Sequence, residues 1–261
     1  SVNCIAQDGS GFVWIGTSNG LSRFDGMFFT VFRHENNDSS TIANNNIHVI
    51  HTCPSGVYFS TDKGVDFYNY RDNKFHHCTI DGKKTRILSI EATSCGLFAT
   101  DEDGKLFNIK GTTFTHIRHD LRVYGLTAVD GTKGKSSNLF AVCDEKVMLL
   151  SPDARHTVSV LHTPLIGNSS TKAYYSRNQR TVFVGNGVGA RSYAFEIRSG
   201  TFRPKADNVP ADLRAITDYE GGTAFATDGH GVMLRDGGVD RWLTENNDGI
   251  CGDAIYSLFA D

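Results

Sequence analysis

Residues Gly11–Gly26 read GFVWIGTSNGLSRFDG. Asn19-Gly20 stands between two runs rich in aromatic and β-branched residues. An Asn-Gly pair flanked in this way marks a hairpin, because both positions accept the positive φ of a tight turn. Asp25-Gly26 marks a second turn. Val2–Ala6 supplies a strand before this stretch and Phe28–Phe32 one after it, so the segment from Val2 to His34 holds four strands. Gly16 sits where a close backbone approach is expected.

The unit repeats. VWIGT, ending at Thr17, returns as VYFST ending at Thr61, GLFAT at Thr100, NLFAV at Val142, TVFVG at Gly185 and TAFAT at Thr227. The intervals are 44, 39, 42, 43 and 42 residues. A second register runs through the first strand of each unit: Ile5, Ile50, Ile90, Leu126, Tyr174, Ile216 and Leu258. Units of this length with four strands each are propeller blades, which stack face to face around an axis. The expected fold is all-β: one domain over 1–261, with blades at about 2–34, 47–79, 87–118, 123–162, 171–204 and 213–244. Ala254–Phe259 reads as the inner strand of a partial seventh blade, 254–261, so the pattern is that of a truncated seven-bladed ring.

Composition agrees with many short strands joined by glycine turns: 27 glycines, 5 prolines and 11% aromatic residues in 261. The net charge of −3 is not gathered into runs, which gives no footprint for nucleic acid or a membrane surface. The six cysteines, Cys4, Cys53, Cys78, Cys95, Cys143 and Cys251, form no CxxC pair and share no blade position, so they read as unpaired. Phe59, Phe98, Phe140, Phe183 and Phe225 align with Ile15 and are expected to pack blade against blade.

Catalytic and metal chemistry lacks a constellation. The histidines at 34, 48, 51, 76, 77, 116 and 119 are spread over different strands, and His76 and His77 point to opposite faces of one strand. Asp8, Asp25 and Asp218 stand in turns, where aspartate caps backbone amides. Asn186–Arg191, NGVGAR, lacks the lysine and hydroxyl residue of a phosphate loop and reads as a widened hairpin. No cofactor is implied.

VNCIAQDGSGFVWIGTSNGLSRFDGMFFTVFRH, followed by NNDSSTIANNNI, resembles the periplasmic sensor propellers of hybrid two-component systems in Bacteroides-type gut bacteria. The ending ENNDGICGDAIYSLFAD resembles the linker and first strand that precede another such repeat. The first unit carries the motif nearly throughout, and blades four and five depart from it most. The resemblance implies a non-enzymatic ectodomain that recognises an oligosaccharide from polysaccharide breakdown. It also implies partners outside this chain: the remaining propeller, and transmembrane and histidine-kinase modules. A propeller lyase or glycoside hydrolase is the enzyme alternative, and a protein-docking scaffold the third.

Ligands of propellers meet loops gathered at one end of the axis. On the face that carries the blade-to-blade connections and the turns between second and third strands, the candidate ligand-binding residues are Arg122, Tyr124, Asn186, Arg191, Asp228 and His230. The two arginines lead, because a guanidinium can fork across adjacent hydroxyls or hold an acidic sugar. A ring lacking most of one blade leaves two apolar blade faces uncovered, which predicts self-association.

Overall fold

The computed structural model describes residues 1–80, 85–130, 137–164, 167–185, 192–198 and 200–260. Six antiparallel sheets follow one another along the chain, each ordered from an inner to an outer strand as a meander. Blade one comprises Val2–Gln7, Val13–Thr17, Gly20–Phe24 and Phe29–Phe32. The inner strands of the others are Ile47–Cys53, Ile87–Thr93, Val123–Val129, Lys172–Ser176 and Leu213–Tyr219. Side chains alternate between the two faces of each strand, so blades two to five each present one face to the preceding blade and one to the following blade. All six cysteines are free thiols.

The core lies between blades. Phe59, Phe98, Phe140, Phe183 and Phe225 are all at most 1% exposed. Their shared alignment needs correction, however. Val123 pairs with Cys143 and Ile87 with Asp101, whereas Ile47 pairs with Thr61. Blades three and four are thus slid by one residue, and a one-residue slip turns a side chain to the other face. Phe59 joins Trp14 of the preceding blade. Phe98 and Phe140 instead face the following blades, among Leu121, Val123 and Leu139 in one case and Phe195 and Phe202 in the other. Phe183 meets Phe225 edge-on across the boundary between blades five and six, with ring centroids 5.0 Å apart.

Several turn assignments have direct physical support. Asp8 is 5% exposed and accepts the Trp14 indole N–H and the Tyr70 hydroxyl, both at 2.8 Å, together with the amides of Ser10 and Phe12. Asp25 caps the amides of Met27 and Phe28. Asp218, expected in a turn, instead lies in the inner strand Leu213–Tyr219, paired with Thr223, and reaches into blade five to accept from Ser176 and from the Arg177 amide. A Cβ on Gly16 would lie 2.4 Å from the Cys4 sulfur and 2.7 Å from Ile47, so the second blade can close on the first only with glycine there.

Two boundaries differ from expectation. Thr79–Ile80 leaves blade two and pairs in parallel with the outer strand of blade three, making that sheet five-stranded. Ala254–Phe259 does not form a strand: Ala254 makes an isolated bridge to Asp228, and the residues after it are irregular. A short helix, Glu245–Asp248, precedes it, capped by a box between Thr244 and Asn247 and ended by Gly249 at φ 70°.

Candidate functional site

One end of the channel gathers the blade-to-blade connections and the turns between second and third strands. Backbone hydrogen bonds tie them to each other: Gly20 N–H to Asn45 O, Glu102 N–H to Arg86 O, Val123 N–H to Gly104 O and Gly229 N–H to Asp253 O. At this end the register of the first strands carries a second message. Two residues before each apolar anchor stand Asn3, His48, Leu88, Tyr124, Lys172, Arg214 and Tyr256.

In five blades this position is a β-bulge. The register skips Asn3, His48, Leu88, Tyr124 and Arg214 between their paired neighbours. A bulge leaves its extra residue unpaired, bends the strand and re-aims a side chain. Lys172 needs no bulge because it is the first residue of its strand, paired with Gly185.

With residues of the adjoining turns, several of these side chains form separate polar groups set around the channel mouth, a discontinuous ring. Asn3 donates to Asn46 Oδ1 at 3.3 Å and to the Ile47 carbonyl at 2.9 Å. His48 Nε2 lies 2.5 Å from Asp62 Oδ1, and Asn46 donates to Asp62 Oδ2 at 2.9 Å. Those two partners hold the Asp62 carboxyl below the usual carboxylate range. Arg86 Nε stands 3.7 Å from Glu102 Oε2, too far for a hydrogen bond. The Arg214 guanidinium meets Asp228 Oδ2 at 2.5 Å and lies 5.6 Å over the Tyr256 ring. Lys172 Nζ crosses from blade five to donate to the Leu88 carbonyl of blade three at 2.9 Å. Burial, then the charge of Arg86, pulls its ammonium down to about 8.

Of the residues expected from sequence, Arg122 and Tyr124 share a cleft of about 540 Å³ with Glu102, Lys105, His116 and His119. The Tyr124 ring lies over Gly167, whose Cβ, if it had one, would sit 2.4 Å from it. Asp228 lies elsewhere, in the ring beside Arg214, and the His230 amide closes a turn onto Thr227 Oγ1. Asn186 and Arg191 lie outside the described residues. Asn3, His48, Arg86, Lys172, Arg214 and Tyr256 escaped that reading. Their signal was present as a polar or aromatic residue at a fixed offset from the anchors, with Arg86 two residues earlier still.

Among the described residues no group of three or more metal-binding side chains gathers, and no helix is long and apolar enough to cross a membrane. His76 binds Asp72 and His77 binds Asp66, so the two adjacent rings turn to different partners.

The fold is that of a six-bladed β-propeller. In fold it is similar to the extracellular domain of a protein described as the hybrid two-component system BT3049 of B. thetaiotaomicron, with a TM-score of 0.72 and 22% identity over 97% of this chain and 36% of the other. It is similar also to the extracellular domain of BT4673 of the same organism, described as a hybrid two-component system, with a TM-score of 0.72 and 17% identity over 100% of this chain and 35% of the other. The chain spans little more than a third of each. The WD40 domain of Neurospora crassa Pan2 also matches, at a TM-score of 0.60 and 13% identity over 90% of this chain and 75% of that one. No protein-family profile and no curated protein sequence matches the chain.

Proposed function

We propose that this chain is the ligand-sensing part of the periplasmic ectodomain of a hybrid two-component sensor, and that its ligand is an oligosaccharide released by polysaccharide breakdown. The observation that carries the reading is the ring at the channel mouth, whose polar side chains come from the inner strands and adjoining turns of blades one, two, three, five and six. The sequence wording and the two bacterial ectodomains that share the fold support the same assignment. The signal passes to a kinase module outside this chain. Binding is favoured over hydrolysis because Asp62, Glu102 and Asp228 each face a basic partner, namely His48, Arg86 and Arg214. A glycosidase needs two carboxyl groups set across one cleft to act as acid and base or nucleophile.

The same proposal includes a seventh blade. Gly229 and Gly231 donate to the Asp253 carbonyl as Gly20 donates to that of Asn45, the residue leading into blade two. Ile255 N–H then reaches the Thr227 carbonyl. The C-terminal segment thus meets blade six as a following blade would. The inner strands of blades one to six pack in succession, and among the described residues no comparable packing joins blade six to blade one. Calorimetry of the chain against a panel of plant and host oligosaccharides tests the function. Saturable binding without turnover is the expected result, and release of shortened sugar by the protein alone would refute it.

A further inference from the structure

The charges at the channel mouth are sorted by radius. Asp62, Glu102 and Asp228 stand at the turns between second and third strands, on the rim. Lys172 and Arg214 stand on inner strands and Arg86 immediately before one, toward the axis. The three cations come from blades three, five and six, and Arg86 and Arg214 both lie close enough to Lys172 to disfavour its charge. Lys172 has a neutral carbonyl as its hydrogen-bond partner. The Nε atoms of Arg86 and Arg214 are buried and have no acceptor. Leaving charged donors buried and unmet is costly, and convergence of like charges adds to that cost. Asp228 meets Arg214 and Glu102 approaches Arg86 from the rim, so the place left for an anion is beside Lys172, on the axial side of the two guanidiniums.

We infer that the channel mouth is a site for an acidic sugar, in which Arg86, Lys172 and Arg214 take one carboxylate or sulfate group while the rim takes the hydroxyls. The assignment rests on the glycan-sensing reading above and names the class of glycan. The two guanidiniums offer in-plane N–H donors that suit a planar carboxylate or a sulfate edge. Asp62 and Asp228 accept hydroxyls, Asn3 and Asn46 can donate or accept, and the Tyr256 ring, 46% exposed, offers a face for stacking. Tyr256 already holds Arg214 by a cation–π contact, so the aromatic wall and the anion clamp are one unit.

Calorimetry of the 261-residue chain tests this with four probes: a glucuronate-containing disaccharide, a sulfated disaccharide, the matched neutral disaccharide, and sodium acetate and sulfate as simple anions. At least one charged disaccharide should bind ten-fold or more tighter than the neutral one, and the two charged arms distinguish a carboxylate from a sulfate ligand. Lys172→Met should remove that advantage, so that charged and neutral disaccharides bind alike, while Lys172→Arg restores it. If Lys172→Met loses its cooperative thermal transition, Arg86→Gln serves as the second variant with the same expectation. Equal binding of charged and neutral sugars overturns the anion clamp and leaves glycan sensing standing. Simple anions binding in a Lys172-dependent way, with no disaccharide bound, keeps the clamp and overturns its assignment to a sugar. No binding of any probe overturns the inference.

Discussion

Phe59 and Ile15 occupy the same place in blades two and one, each two residues before the paired threonine of its second strand. Phe59 is fully buried against blade one, and Ile15 is only partly covered. On the same outward side of blade one, Phe29 is 61% and Val31 52% exposed, whereas Phe32, one residue on, packs in the core beside Trp14 and Tyr68. The strands are equally regular on both faces. The difference teaches that a blade's apolar pattern is written for two neighbours, and burial follows from whether the neighbour is present.

The largest effect expected on the covered side is that of Phe59→Ala. It should cost about 3–5 kcal/mol by urea unfolding, since a large aromatic is lost from a closed core and a cavity is left. A loss below about 1 kcal/mol would show that this interface is as loose as the open one. Asp8→Ala comes next, at about 3 kcal/mol, because it strips the acceptor from Trp14 and from Tyr70 across the boundary between blades one and two. Trp14 fluorescence should shift to the red with it; an unchanged spectrum would place the indole elsewhere.

A pH-dependent contribution tests the boundary between blades three and four. Glu91 accepts the Ala128 N–H at 3.0 Å, and burial raises its carboxyl to about 7. The native state therefore binds the proton more tightly than the unfolded chain. The stabilisation is complete below the unfolded value of 4.5 and is lost as pH rises through about 7. Linkage limits the loss to about 3 kcal/mol, and Glu91→Gln should flatten that slope in melting curves taken from pH 4.5 to 8. An unchanged slope would assign it to another group.

On the open side the effects should be small in stability and visible in association. Ile15→Ala is expected to cost no more than about 1 kcal/mol, well below the fully buried case. Val31→Lys should alter stability by less than about 0.5 kcal/mol. It should also reduce the self-association that an uncovered apolar face and strand edge favour, read by light scattering over a concentration series. A parent chain that stays monomeric at high concentration would show that the face needs no partner.

The repeat, its period and the all-β meander were legible in the chain because strand alternation and turn chemistry are local, and local patterns survive in sequence. Asp8, Asp25 and Gly16 were legible for the same reason: a turn carboxylate and a residue without Cβ each answer a demand made within a few residues. The face taken by each recurring phenylalanine was not. A one-residue difference in pairing register sends Phe98 and Phe140 to the opposite side from Phe59, and register is decided between strands. The expected ligand residues were chosen by loop position, and the structure sets Arg122 and Tyr124 in a cleft and Asp228 beside Arg214. Arg86, Lys172 and Arg214 lie 42 or more residues apart in the chain, from residue 86 to 172 to 214. Only closing the blades around an axis brings them to one channel mouth, because it is ring curvature that turns a one-dimensional repeat into a converging site.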